Sequence, residues 1–280
     1  MARLRVLAYA KLNLTLRVVG RRPDGYHLLE SLMTAVELAD LLELRPRPTA
    51  VRLAGRRGPC PPEENLAVRA AELLRSSTGV DAGVEITLEK NIPPGAGLGG
   101  GSADAAAVLA ALNRLWGLNL GTGQLQRLGA SLGADVPFFL GPSPAWAEGI
   151  GDALTTAVTP LPAAFLVLVP PFACPTGEVY RTYDQLGLPL SSSGPSPQGL
   201  CLHNDLWPAA CRVRPALSRY RARLEAVCED ALGVGMTGSG SALFAAFADR
   251  AAALAAGRRL RTGGRTFVAA PVGCGYKLLP

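Results

Sequence analysis

Residues 90–107 read K-N-I-P-P-G-A-G-L-G-G-G-S-A-D-A-A-A: a strand-like lead-in and two prolines open a glycine-packed loop that runs into an alanine-rich helix. That is a backbone suited to holding phosphate. Gly95, Gly97, Gly99, Gly100 and Gly101 have no Cβ, so successive amides can turn inward and a charged ligand can approach the main chain closely. A helix predicted from Ser102 to about Trp116 would aim its free N–H groups and positive dipole end at the same anion.

The spacing separates this loop from other phosphate binders. Gly95, Gly97 and Gly100 satisfy G-x-G-x-x-G, but a dinucleotide site also wants an acidic residue about 20 positions further on. None lies between Asp104 and Asp135. A Walker loop needs Gly-Lys before Ser or Thr, and no lysine follows until Lys277. A flexible linker would not be set between a periodic strand and a strong helix.

Two further residues could act on the acceptor of a phosphoryl group. Asp135, in L-G-A-D-V-P-F-F-L, can accept a hydroxyl proton if it lines a cleft; otherwise it caps a helix or shapes a turn. Lys11 sits on a strand with Leu12, Leu14 and Leu16 on one face, so Lys11 and Asn13 share the other. One strand then presents a cation and an amide together, unless Lys11 is a solvated edge-strand lysine. Tyr26 and His27, in the R-P-D-G-Y-H turn, could stack on and hydrogen-bond a base, or simply be exposed. Thr237 to Ser241, T-G-S-G-S, is a second glycine turn and a candidate anion nest.

The elements that must position these groups alternate between strand and helix. Leu4 to Val19 reads as a strand and Ser31 to Glu43 as mixed strand and turn. Asn65 to Ser76 is a helix, Val84 to Glu89 a strand, and Gln124 to Leu132 a helix. Ala163 to Val169 is a strand, Arg214 to Cys228 a helix, and Ala242 to Phe247 a strand. Ala248 to Arg261 is a helix and Thr266 to Pro271 a strand. Residues 185–200, with S-S-S-G-P-S-P-Q-G, predict a mobile loop. The domain boundary is expected near residues 153–162, giving 1–157 and 158–280.

Composition narrows the class. A chain of 280 residues accommodates two ordinary domains. The apolar run Phe165 to Val169 is far too short to span a bilayer, and M-A-R-L-R-V-L-A-Y-A-K shows no export signal, so a cytoplasmic location without membrane partners is expected. Six cysteines without C-x-x-C spacing predict buried thiols, and two histidines leave no histidine-rich metal centre. The net charge of +6 is spread over scattered arginines with no dense run, which argues against nucleic acid as partner. A nucleotide- or RNA-binding module would need basic residues interleaved with aromatics on one face, and they are absent.

A-K-L-N-L, P-P-G-A-G-L-G-G-G-S-A-D-A-A and T-G-S-G-S, in that order, resemble the three motifs of the GHMP kinases. The resemblance covers nearly the whole chain. It implies an α+β fold of two domains, the N-terminal one like domain 2 of ribosomal protein S5 and the C-terminal one ferredoxin-like, with the active site between them. It implies that Pro94, Gly95, Ala96, Gly97, Leu98, Gly99, Gly100, Gly101, Ser102, Ala103 and Asp104 wrap the phosphates of ATP, and that Lys11 and Asp135 are catalytic. Mg²⁺ would accompany the nucleotide, with Ser102 as its candidate protein ligand. R-P-D-G-Y-H and L-G-A-D-V-P-F-F-L are similar to the branch that phosphorylates the 2-hydroxyl of a cytidine diphosphate-linked methylerythritol. Asn13, Tyr26, His27 and Tyr180 would then face that substrate, with Thr237, Gly238 and Ser239 closing over it. Homoserine- and mevalonate-type kinases are the alternatives within the family. Tyr9 and Trp207 depart from the branch's pattern, at positions usually proline and acidic.

Overall fold

The computed structural model describes residues 3–54, 61–192 and 201–280. Strands β1 (Leu4–Arg21) and β2 (His27–Arg47) form a long antiparallel hairpin around the predicted turn. The alternation in β1 separates two buried faces: Leu12 and Leu14 enter an apolar core, and Lys11, Asn13 and Thr15 opposite them are buried as well. The expectation of mixed strand and turn over residues 31–43 is corrected, since β2 runs unbroken for 21 residues. The register against β1 shifts where Tyr9 faces Ala39 and Ala10 faces Val36, and that bulge on β2 absorbs the irregular pattern.

After β3 (Val51–Ala54), helix α1 (Leu66–Thr78) is capped by the Asn65 side chain, which accepts from the Ala67 amide, and ended by left-handed Gly79. Strand β4 (Gly83–Glu89) leads through the glycine loop into α2 (Gly100–Leu115). This helix starts two residues before the predicted Ser102. Gly100 and Gly101 are poor helix formers, but Ala103 and residues 105–112 behind them are all buried, and that packing carries the first turn. Helices α3 (Thr122–Ala130) and α4 (Val136–Leu140) follow, then the short strands β5 (Ala145–Glu148) and β6 (Ala153–Thr156).

The chain changes sheets between Thr156 and Ala164. Next come β7 (Ala164–Val169), α5 (Thr176–Leu186), β8 (His203–Asn204), α6 (Trp207–Val213), α7 (Ala216–Glu225), β9 (Gly233–Met236), β10 (Leu243–Phe247), α8 (Arg250–Arg259) and β11 (Arg265–Ala269). Strands β11, β7, β10 and β9 pair in that order, all antiparallel, with helices between β7 and β9 and between β10 and β11. That is the ferredoxin-like arrangement. Finally β12 (Pro271–Val272) and β13 (Tyr276–Leu279) return to pair with β2 and β1 in the first sheet, whose central order is β13-β1-β2-β4-β3.

A core containing Leu12, Leu14, Ile92, Phe165 and Phe244 joins the two sheets. Of the loop predicted over residues 185–200, Leu186 ends α5, and the Ser191 amide donates to the Val18 carbonyl at 2.9 Å. Residues 193–200 lie outside the described residues. Among the described cysteines Cys174 and Cys228 are buried, but Cys274 is exposed, contrary to expectation. No helix among the described residues is long and apolar enough to cross a membrane.

Candidate active site

The edge of β1 gathers three distant segments. The Tyr9 amide donates to the Gly275 carbonyl at 2.9 Å, the Lys11 amide to Leu98 at 3.0 Å, and the Asn13 amide to the Thr237 hydroxyl at 3.0 Å. Lys11 is therefore no solvated edge lysine: the glycine loop occupies that edge. The loop and the 237–241 turn also bond each other, since the Thr237 hydroxyl donates to Gly97 and the Ala242 amide to Ala96. Gly97, at φ +78°, has no room for a side chain, because a Cβ would lie 2.3 Å from the Thr237 carbonyl oxygen.

A single cavity of about 1420 Å³ opens above this junction. Lys11 Nζ stands 3.5 Å from Asp135 Oδ2 and also donates to Asn13 Oδ1. Asp135 sits at the N-cap of α4, yet its side chain accepts no capping hydrogen bond; it is 37 % exposed and lines the cavity. The capping role considered from sequence is thus excluded. Asn13 is committed to the protein: its Nδ2 donates to Ser31 Oγ at 2.7 Å, and its Oδ1 accepts from the Gly238 amide at 3.0 Å as well as from Lys11. Thr237 is fully buried, whereas Gly238 and Ser239 face the cavity, with Ser239 Oγ 2.9 Å from Thr176 Oγ1.

At one end of the cavity the His27 ring stacks on Tyr180 at 4.8 Å between centroids, and Tyr183 meets it edge-on at 5.9 Å. His27 Nε2 pairs with Asp184 Oδ1 at 2.7 Å, so that nitrogen carries the hydrogen and the carboxylate accepts it. Burial, then the neighbouring Asp135 and Tyr183, push the Tyr180 phenol above its usual value, so it stays neutral. Tyr26 is 63 % exposed on the same rim. Leu53, Leu66, Leu88 and Asn65 also line the cavity. The glycine loop and the start of α2 line it too.

Sequence reasoning missed three contributors. Asp184 is one. Lys90 is another: it donates to Asp104 Oδ2 at 2.7 Å and to fully buried Asp40. Asp40 is the third, in the stretch read as partly turn. The only advance signal was the scarcity of lysine, since two of the three lysines border this cavity.

This fold, with one cavity at the junction of its two sheets, is that of a family of phosphotransferases. The GHMP kinases N terminal domain matches residues 65–141 and the GHMP kinases C terminal domain residues 201–266. The chain belongs to the GHMP kinase family and is an ATP-dependent small-molecule kinase. It is 43 % identical over 266 residues to 4-diphosphocytidyl-2-C-methyl-D-erythritol kinase of Nitrosospira multiformis, covering 94 % of this chain and 89 % of that one. It resembles a crystal structure of 4-(cytidine 5'-diphospho)-2C-methyl-D-erythritol kinase at a TM-score of 0.82 and 39 % identity, over 95 % of this chain and 98 % of the other. Homoserine kinase from Cytophaga hutchinsonii shares the fold at 0.72 and 18 %, over 100 % of this chain and 98 % of that chain.

Proposed function

We propose that this cytoplasmic kinase transfers the γ-phosphoryl group of ATP to the 2-hydroxyl of 4-diphosphocytidyl-2-C-methyl-D-erythritol, a step in non-mevalonate isoprenoid precursor biosynthesis. The observation that carries the reading is one cavity holding the Lys11–Asp135 pair between a phosphate loop and the His27–Tyr180 stack. The relatives at 42–45 % identity bear the name of that kinase.

The substrate hydroxyl lies beside Asp135, which takes its proton as the oxygen attacks the γ-phosphorus and ADP departs. Lys11, held by Asn13, offers the same oxygen and the transferring group a fixed positive charge. Asn13 thus acts through Lys11 rather than on the ligand. The loop amides and the N-terminus of α2 take the β- and γ-phosphates. No cluster of three or more acidic, cysteine or histidine side chains among the described residues could hold a metal alone. The Ser102 hydroxyl, at the first turn of α2, would be the protein oxygen available to a Mg²⁺ bound with the nucleotide, which would neutralise phosphate charge there. Residues 1–157 supply the loop and the Lys11–Asp135 pair, and residues 158–280 supply Tyr180 and the 237–241 turn.

His27, Tyr180 and exposed Tyr26 receive the cytosine. A site that hydrogen-bonds one exocyclic pattern leaves groups unpaired with the other. The uridine analogue of the substrate should therefore show a specificity constant lower by at least about tenfold. Equal constants for the two analogues would remove base recognition from this end of the cavity.

A further inference from the structure

Beneath the phosphate loop lies a buried charged cluster that the chemistry above does not use. Asp40, at 0 % exposure on β2, accepts the Asn91 amide at 2.6 Å and the Ile92 amide at 2.9 Å through Oδ1, and Lys90 through Oδ2. The residues entering the loop are thus fastened to β2. Lys90 reaches across to Asp104, the fifth residue of α2, just beyond the loop's exit. Where entry and exit meet, a Cβ on Gly100 would lie 2.8 Å from Ile92 Cγ2 and 3.3 Å from Lys90 Nζ.

The charges do not match those of a simple ion pair. Two buried carboxylates face one ammonium, and Asp104 Oδ1 has no partner. An excess negative charge under a triphosphate site would repel the ligand and be costly to bury. Asp104 offsets part of this through Oδ2, 2.7 Å from the Lys90 ammonium. Its carboxyl is pushed up to about 8 by burial, with the Asp40 charge adding and Lys90 opposing. Burial alone would lower the Lys90 ammonium, but Asp104 and Asp40 reverse this and hold it above its usual value.

We propose that Asp40, Lys90 and Asp104 form a clamp that joins the two ends of the phosphate loop, making Asp104 a positioning residue for nucleotide binding. Asparagine keeps the shape of the side chain and an oxygen that can accept from Lys90, so it should serve where alanine cannot.

The test is calorimetric binding of ADP and, separately, CDP to the full chain carrying Asp104→Ala or Asp104→Asn, with melting temperature as a check on folding. Asp104→Ala should weaken ADP roughly tenfold, the size of one lost buried hydrogen bond, and leave CDP unchanged. Asp104→Asn should restore ADP binding to within about threefold. If the alanine variant does not fold, Asp104→Ser cuts the same link and takes its place. Wild-type ADP affinity in the alanine variant, equal weakening of ADP and CDP, or an asparagine variant as weak as alanine would each overturn the clamp. The proposal rests on the ATP reading alone: failure of CDP to bind the wild-type chain would count against the cytidine substrate, and the ADP comparison would still decide the clamp.

Discussion

Lys11 is one of three lysines in a chain with 28 basic residues, and the structure buries it beside Asp135 with its ammonium held by Asn13. A compact ammonium fits that space and a planar guanidinium does not, since Lys11 Cγ already lies 3.0 Å from where a Cβ on Gly99 would be. Lys11→Arg should therefore lower the rate of ADP formation roughly 10²-fold, the effect of a misplacement of about 1 Å. Lys277→Arg, at an exposed position of half-buried β13, should leave it unchanged. Wild-type rates in Lys11→Arg would reduce Lys11 to diffuse positive charge. Asp135→Asn keeps size but cannot take a proton, so turnover should fall roughly 10²- to 10⁴-fold while ADP binding, read by calorimetry, persists. A near-normal rate in that variant would end the proton-accepting role. At this scale the sequence was informative for groups inside tight motifs, such as Lys11, Asp135 and Gly97. It was silent on Asp184 and Asp40, whose partners lie 157 and 50 positions away.

At the scale of elements, β1, α1 and β4 were legible because one period or one cap defines each. Strand β2 was not, because the bulge between Val36 and Ala39 breaks the alternation that reveals a strand. Helices α5 and α6 escaped for another reason: α5 buries only Val179 and Tyr183, and α6 only Ala209 and Ala210, too little to imprint a pattern. The junction of the glycine loop with α2 carries its own thermodynamic signature. Asp104 is protonated in the fold up to about pH 8 but ionises near its ordinary value, 3.8, once unfolded. Between those values the folded state holds the extra proton, so this group's contribution to stability is full below about pH 4, declines as pH rises, and levels off above about pH 8. Asp104→Asn does not titrate. The difference in Tm, variant minus wild type, should therefore grow as pH rises from 4 to 8 and then stay constant. A difference independent of pH would show that Asp104 ionises normally.

Across the whole molecule, two sheets meet through a shared core, and the last strands cross back to the first sheet to complete the edge on which Lys11 sits. The resemblance of three ordered motifs anticipated this architecture. The return of residues 271–279 left no local trace, because a four-residue strand such as β13 is recognisable only by the strand it pairs with. The cavity at the sheet junction, of about 1420 Å³, has Lys11 and Asp135 in its lining. The most direct test offers wild-type enzyme, ATP and Mg²⁺ one alcohol at a time: 4-diphosphocytidyl-2-C-methyl-D-erythritol, homoserine or mevalonate. ADP is followed by a linked assay and the product by phosphorus NMR. The account predicts ADP formation with the cytidine substrate alone, and a new phosphomonoester signal on its 2-oxygen. Turnover of homoserine or mevalonate in its place, or phosphorylation at another oxygen, would contradict it.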